Sequence, residues 1–206
     1  MDEKLKQSYY NIRTSIGVLG ILLPVLLYFI NGEMSQSISI TYYSKASFVF
    51  SAIIFAFSLF LITYKGYEKD KNEKISDNLL TNFAGLLALF VLVFPTKYII
   101  SSNCAKEILN HYVFTSEVEI TTKIHYISAG LFFILMGGMS FFKFARGNNV
   151  KHQYLYKVLG LIMWGAIICI GILNLLEIKE IFIYESIVLW AFGISWLLKG
   201  KFLFKL

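Results

Sequence analysis

Long apolar blocks separated by short polar stretches organise this sequence. Six of them, at residues 15–30, 47–64, 79–95, 124–142, 158–175 and 181–198, are nearly free of charge. Each comes close to the roughly 20 apolar residues that an α-helix needs to cross a bilayer core. The apolar residues run in blocks and do not alternate, so the pattern predicts spanning helices rather than half-buried strands. The expected class is all-α, a polytopic transmembrane bundle of six helices forming a single domain over residues 1–206. Pro24 falls inside the first block, where neighbouring helices can supply the lost backbone bond. The halves of the chain show no repeat.

The stretches between blocks orient the bundle. Of the 19 Lys and Arg residues, 14 lie before the first block, in the second and fourth connections and after the last block, and 5 lie in the first, third and fifth connections. Basic residues favour the cytoplasmic side, so both termini are expected there. Lys4, Lys6 and Arg13 would suit the basic start of a leader, but Ser35-Gln36-Ser37 makes a poor cleavage site, so the first helix is expected to be retained. The stretch from Lys65 to Asp77 is expected to be a solvated connector. The third connection, from about Thr96 to Lys123, is the longest. Its semi-apolar run from Ile108 to Phe114 is expected to lie across the outer end of the bundle.

Composition agrees with this reading: 57% of the 206 residues are hydrophobic and the mean hydropathy is +0.64, against about 45–50% apolar residues in soluble domains. The net charge of +6 resides in short connections, where it meets anionic headgroups and is no argument for nucleic acid. Cys104 and Cys169 sit at different depths and show no metal spacing. The expected setting is a bacterial cytoplasmic (inner) membrane, with membrane lipids, a small-molecule ligand and further copies of the chain as candidate partners. No cofactor, metal or nucleic acid is expected.

Polar side chains collect at the outward ends of the helices: Asn31, Glu33, Tyr42, Tyr43, Ser44, Lys45, Thr96, His125, Asn174, Glu177 and Glu185. Ionisable groups at membrane depth are costly, so their gathering in one leaflet is the chief functional lead. Ser44, Lys45, His125, Ser128, Glu177 and Glu185 are the candidate ligand-binding residues of an outward-opening cavity. His125 and Ser128 share a helix face, and Glu185 shares one with Gly193. The competing role for such residues is packing. Ser47, Ser51 and Ser58, and the pairs Gly17/Gly20 and Gly130/Gly137, suit helix seams. Asn82 is expected to bond across helices, and Trp190 and Trp196 to face lipid or the interface.

No H-E-x-x-H, G-x-S-x-G, P-loop or dinucleotide fingerprint is present. Two alternatives to ligand binding follow from the same residues. One is a membrane-embedded hydrolase or transferase with Glu185 or His125 as general base; the other is an oligomeric channel or permeabilising effector lined by the serines of the second span.

Several segments carry a family likeness: Tyr42-Tyr43-Ser44, Tyr64-Lys65-Gly66-Tyr67, Phe94-Pro95-Thr96, Ile124-His125-Tyr126-Ile127-Ser128-Ala129, and the run from Glu185 to Gly200. In these the chain resembles a bacterial family of six-span membrane proteins within the Frag/DRAM/Sfk-like grouping. That resemblance implies a six-helix fold and brings no assigned chemistry with it.

Overall fold

Where the polar stretches fall decides where the helices begin and end. The computed structural model describes residues 3–67, 69, 73–101, 106–109, 117–146 and 149–200. Cys104, His111, residues 110–114 of the semi-apolar run, Lys201 and Lys205 lie outside the described residues. The chain forms α1 (Glu3–Asn31), a 3₁₀ turn (Ser39–Tyr43), α2 (Ser47–Thr63) and α3 (Asp77–Val93). After α3 come strands β1 (Tyr98–Ser101) and β2 (Lys106–Leu109), then α4 (Val118–Gly138), α5 (Val150–Leu175) and α6 (Phe182–Lys199). The two strands pair antiparallel, Tyr98 with Leu109 and Ser101 with Lys106. Among the described residues this hairpin is the one pair of strands, and it occupies the connection expected to cover the end of the bundle.

Three of the six helices outrun the apolar blocks. α1 starts at Glu3, α4 at Val118 and α5 at Val150, because polar residues extend a helix beyond its apolar part. Ser76 caps α3 by accepting from Leu79 N–H at 3.1 Å, and Asn149 caps α5 by accepting from Lys151 and His152 N–H. Such side chains satisfy the orphan donors of a first turn. By length and composition, Gln7–Asn31, Val118–Phe144, Val150–Leu175 and Phe182–Lys199 are able to cross a membrane, while Ser47–Thr63 and Asp77–Val93 are shorter apolar helices of 17 residues.

The helices alternate in direction, and each packs on its neighbours in sequence, with α6 returning to α1 to close a ring. One end of the ring carries the β-hairpin and the other the chain termini. The centre is aromatic. Trp196 is 1% exposed and packs edge-on to Phe60, Tyr64 and Phe144, with ring centroids 5.0–5.1 Å apart. The expectation that it faces lipid is therefore corrected: apolar area buried against other rings outweighs an interfacial position. Trp190 is partly exposed and donates to Ile21 O at 3.1 Å.

Small residues make the α1–α6 seam. A Cβ on Gly17 would lie 2.7 Å from Gly193 O, and one on Gly193 would lie 2.7 Å from Gly17 O. Backbones approach closely here, as the pairing of Gly17 with Gly20 anticipated. The Gly130/Gly137 seam is corrected: Gly137 meets the Trp164 ring, whereas Gly130 faces open space. Asn82 does not form the bond expected of it, since its buried carbonyl oxygen has no partner among the described residues.

α4 continues past Gly138 as a π-helical turn, Met139–Phe144. The turn brings Ser140 Oγ to Tyr156 O (2.9 Å) and to Ser195 Oγ (2.9 Å), and turns Lys143 and Phe144 into the bundle. Wide turns of this kind re-aim the side chains that follow them.

Replacing Gly193 by leucine should force α1 and α6 apart and lower stability by about 1–3 kcal/mol, the usual cost of overpacking. Thermal unfolding of the detergent-solubilised protein measures it. An unchanged midpoint would mean that this seam is not close-packed.

Candidate functional site

At the hairpin end, a non-helical segment between α1 and α2 is tied into the bundle by side chains from α4 and α6. Pro95, which follows α3, has no N–H to give to the carbonyl of Val91 four residues earlier. His125 of α4 supplies the missing donor. Its Nδ1 lies 3.1 Å from Val91 O and 3.0 Å from Phe94 O, and both can only accept, so Nδ1 carries the proton. Nε2 is then an acceptor, and Ser39 Oγ donates to it at 2.9 Å. The imidazole is 1% exposed, with both nitrogens satisfied.

Glu185, in the first turn of α6, binds the same segment two residues earlier. One carboxylate oxygen accepts from Ser37 Oγ at 2.9 Å and the other from Ile38 N–H at 2.5 Å. Gln36 O accepts from both Ile181 and Phe182 N–H at the start of α6. Within the segment, Thr41 Oγ1 donates to Ile38 O, and Ser44 Oγ donates to Thr41 O while accepting from Ala46 N–H.

The tied segment separates two recesses. Beneath it is a cavity of about 50 Å³ whose walls are apolar (Phe50, Phe57, Ala88, Phe132 and Leu189 among them), with Ser39 and Glu185 at its edge. Beyond it is an open recess of about 720 Å³ with mixed walls, in which Gln36, Ser37, Thr96, Lys97, Asn174 and Glu177 stand among isoleucines and tyrosines. Ile38 and Ser39 face the first, Ser37 and Ile40 the second. The arrangement pairs a polar vestibule with a small apolar chamber across one strip of chain.

The six candidate residues divide among these features. His125 and Glu185 hold the partition, and Glu177 lines the open recess. Ser128 is buried on the His125 face of α4, one turn further on. Ser44 is spent on the chain turn that leads into α2, and Lys45 is exposed and lines neither recess. His125 and Glu185 do not bond to each other but to two serines of one segment. Ser37 and Ser39 were missed in the sequence, because no spacing rule links a loop hydroxyl to a histidine 86 residues away. Of the serines on α2, Ser58 is buried and donates to Gly85 O at 2.8 Å, a packing role.

Glu177 occupies the left-handed region at φ 60°. Ile178 N–H bonds to Leu173 O and Glu177 N–H to Asn174 O, the double closure that ends many helices with glycine at this position. A glutamate there bears a cost of about 1–2 kcal/mol that glycine would not.

A second polar cluster lies at the terminal end. Asp77, 1% exposed, pairs with Arg146, and Glu73 pairs with both Lys143 (2.9 Å) and Arg146 (3.0 Å). Lys143 also donates to Ile75 O. Arg13, from the basic stretch before the first apolar block, is buried beneath Tyr9, Tyr64 and Tyr67, and it donates to Tyr64 Oη at 2.9 Å. The idea that Lys65 to Asp77 is only a solvated connector is thus corrected for its described end: Glu73 and Asp77 neutralise cations of the fourth connection, because α3 and α4 are adjacent. The pairing was hidden from the sequence, since Glu73 and Arg146 are 73 residues apart.

Among the described residues, no three His, Cys, Asp or Glu side chains converge to hold a metal ion. No protein-family model, curated protein or solved structure matches this chain.

Two substitutions probe the two ends. His125→Ala should leave the Val91 carbonyl without its donor, a loss of about 1–3 kcal/mol, and should speed amide hydrogen exchange over residues 37–43. Exchange that rises elsewhere but not there would contradict the tether. Asp77→Asn should cost about 1–3 kcal/mol by weakening a charged hydrogen bond to Arg146, which keeps Glu73 as its second partner, read as a lower denaturation midpoint.

Proposed function

We propose that this chain is a six-span protein of the bacterial inner membrane, with both termini cytoplasmic, that binds a lipid headgroup or small polar molecule in the open recess on its outer face. The observation that carries the reading is the partition itself. A polar vestibule and an apolar chamber share a wall of four residues, which ionisable side chains at membrane depth keep in place. Ionisable groups there are costly and mark functional sites by default. Concave sites that combine apolar walls with a few placed polar groups are the usual form of small-molecule sites.

Several further points support the membrane arrangement. Besides the four longer helices, α2 carries no charged residue and α3 only Asp77 at its first position. Each has 17 residues, the lower end of the usual range of about 17–25. Both belong to the same antiparallel ring. The excess of Lys and Arg at the terminal end supports placing that end in the cytoplasm. The likeness to six-span bacterial proteins in the runs around His125 and Glu185 accords with this arrangement. Lys179 and Glu177 line the recess beside Lys97, whose ammonium is paired with Glu119 at 3.0 Å; together they suit a ligand bearing both signs of charge, such as a zwitterionic headgroup, and membrane lipids are the nearest source.

Orientation is tested with single cysteines in a background lacking Cys104 and Cys169. Lys45→Cys should react with an impermeant maleimide on intact cells, and Lys151→Cys only after lysis; the reverse pattern would invert the topology. Binding is tested by mass spectrometry of lipids that co-purify with the protein. His125→Ala with Glu185→Ala should change that set, and an unchanged set would sink the proposal. Glu177→Gly should raise stability by about 1 kcal/mol, by relieving the left-handed conformation, while reducing lipid retention.

A further inference from the structure

Ser39 both bonds to His125 and lines the apolar chamber. Its hydroxyl donates to Nε2 because Nδ1–H is committed to two backbone carbonyls. This is the relation between a nucleophile and its general base: hydrogen-bond reach, with the base oriented by a third group. Here the orienting group is the pair of carbonyls that α3 leaves open before Pro95. Glu185 is not available as that base, since both its oxygens are engaged by Ser37 and Ile38. Its part is to position the segment that carries Ser39. Ser39 itself is only half-buried.

We propose that Ser39 is a nucleophile, with His125 as its base, toward the carbonyl carbon of an ester bearing a short acyl group. The idea rests on the binding reading above, in that the polar remainder of the ester occupies the open recess. The short acyl group follows from size: a chamber of about 50 Å³ is well below the ~150 Å³ that accommodates a benzene ring. In the first step Ser39 Oγ bonds to the carbonyl carbon and its proton passes to His125 Nε2. The ester C–O bond then breaks, and the leaving alkoxide takes that proton. A water then attacks the acyl-serine and gives its proton to His125 Nε2. Ser39 Oγ leaves and recovers the proton. The balance is ester plus water giving acid plus alcohol.

The test treats the purified full-length protein, in detergent micelles, with a fluorophosphonate and locates the adduct by peptide mass spectrometry. The adduct is expected on Ser39, absent in Ser39→Ala, and formed at least ~100-fold more slowly in His125→Ala, the least that loss of a general base removes. Acetate and butyrate nitrophenyl esters should be cleaved faster than the decanoate. These expectations are read only on variants that elute as the same monodisperse species as the native protein. If His125→Ala fails that criterion, the native protein with and without Ser39→Ala decides. An unmodified Ser39 in native protein overturns the proposal, as does labelling confined to another residue or a preference for the long ester. If Ser39 is unreactive while the co-purified lipids still depend on Glu185, the nucleophile fails and the binding site stands. If neither is seen, both fail.

Discussion

A polar side chain inside an apolar bundle must find its partners within the protein, because hydrocarbon offers none. At the hairpin end this demand falls on His125 and Glu185, and the local architecture follows from how it is met. The imidazole has two nitrogens to satisfy. One closes the carbonyl that Pro95 leaves open at the end of α3, and the other takes the hydroxyl of Ser39. The carboxylate has two oxygens and takes a hydroxyl and an amide from the same short stretch. The segment between α1 and α2 is thereby drawn over the mouth of the bundle. Without those bonds it would be an ordinary surface loop. One broken helix ladder, at Pro95, thus determines where a histidine is useful, and the histidine determines where the loop lies.

The terminal end meets the same demand by a different route. Its cations outnumber the hydroxyls within reach, so acidic and aromatic groups hold them. Glu73 and Asp77 take Lys143 and Arg146, and tyrosine rings cover Arg13. Lys199 lies over Tyr67 and Phe144. Ring faces attract a cation without a carboxylate's desolvation cost. The two ends therefore differ in kind. One is a hydrogen-bonded partition next to open volume, and the other is a tightly paired ionic and aromatic plug. That contrast is a reason to look for ligands at the first and for rigidity at the second.

Much of this could be read from the pattern of residues, within limits set by distance along the chain. The helices announced themselves through apolar runs, and the Gly17/Gly20 seam through small residues at helical spacing. His125 and Glu185 stood out because ionisable groups there need a reason. Nothing local announced their partners. Ser37 and Ser39 look like any serines in a polar loop, and only the folding of α4 and α6 beneath that loop gives them roles. Trp196 was misplaced because an amphipathic ring suits an interface and a core equally well, and the neighbours decide. The burial of Asp77 and Arg13 was equally invisible, since each depends on which helices adjoin. What a residue is could be inferred; whom it meets could not.

The wide turn at Met139–Phe144 has a consequence for how α4 is built. One additional residue in a helix advances its angular phase by about 100°. The portion carrying His125 and the portion carrying Lys143 are thus indexed separately, although they lie on one continuous rod. Removing one residue within the turn would leave the histidine's bearing intact and swing the lysine off Glu73. The helix behaves as two shafts joined by a coupling, so substitutions that re-time one end need not disturb the other.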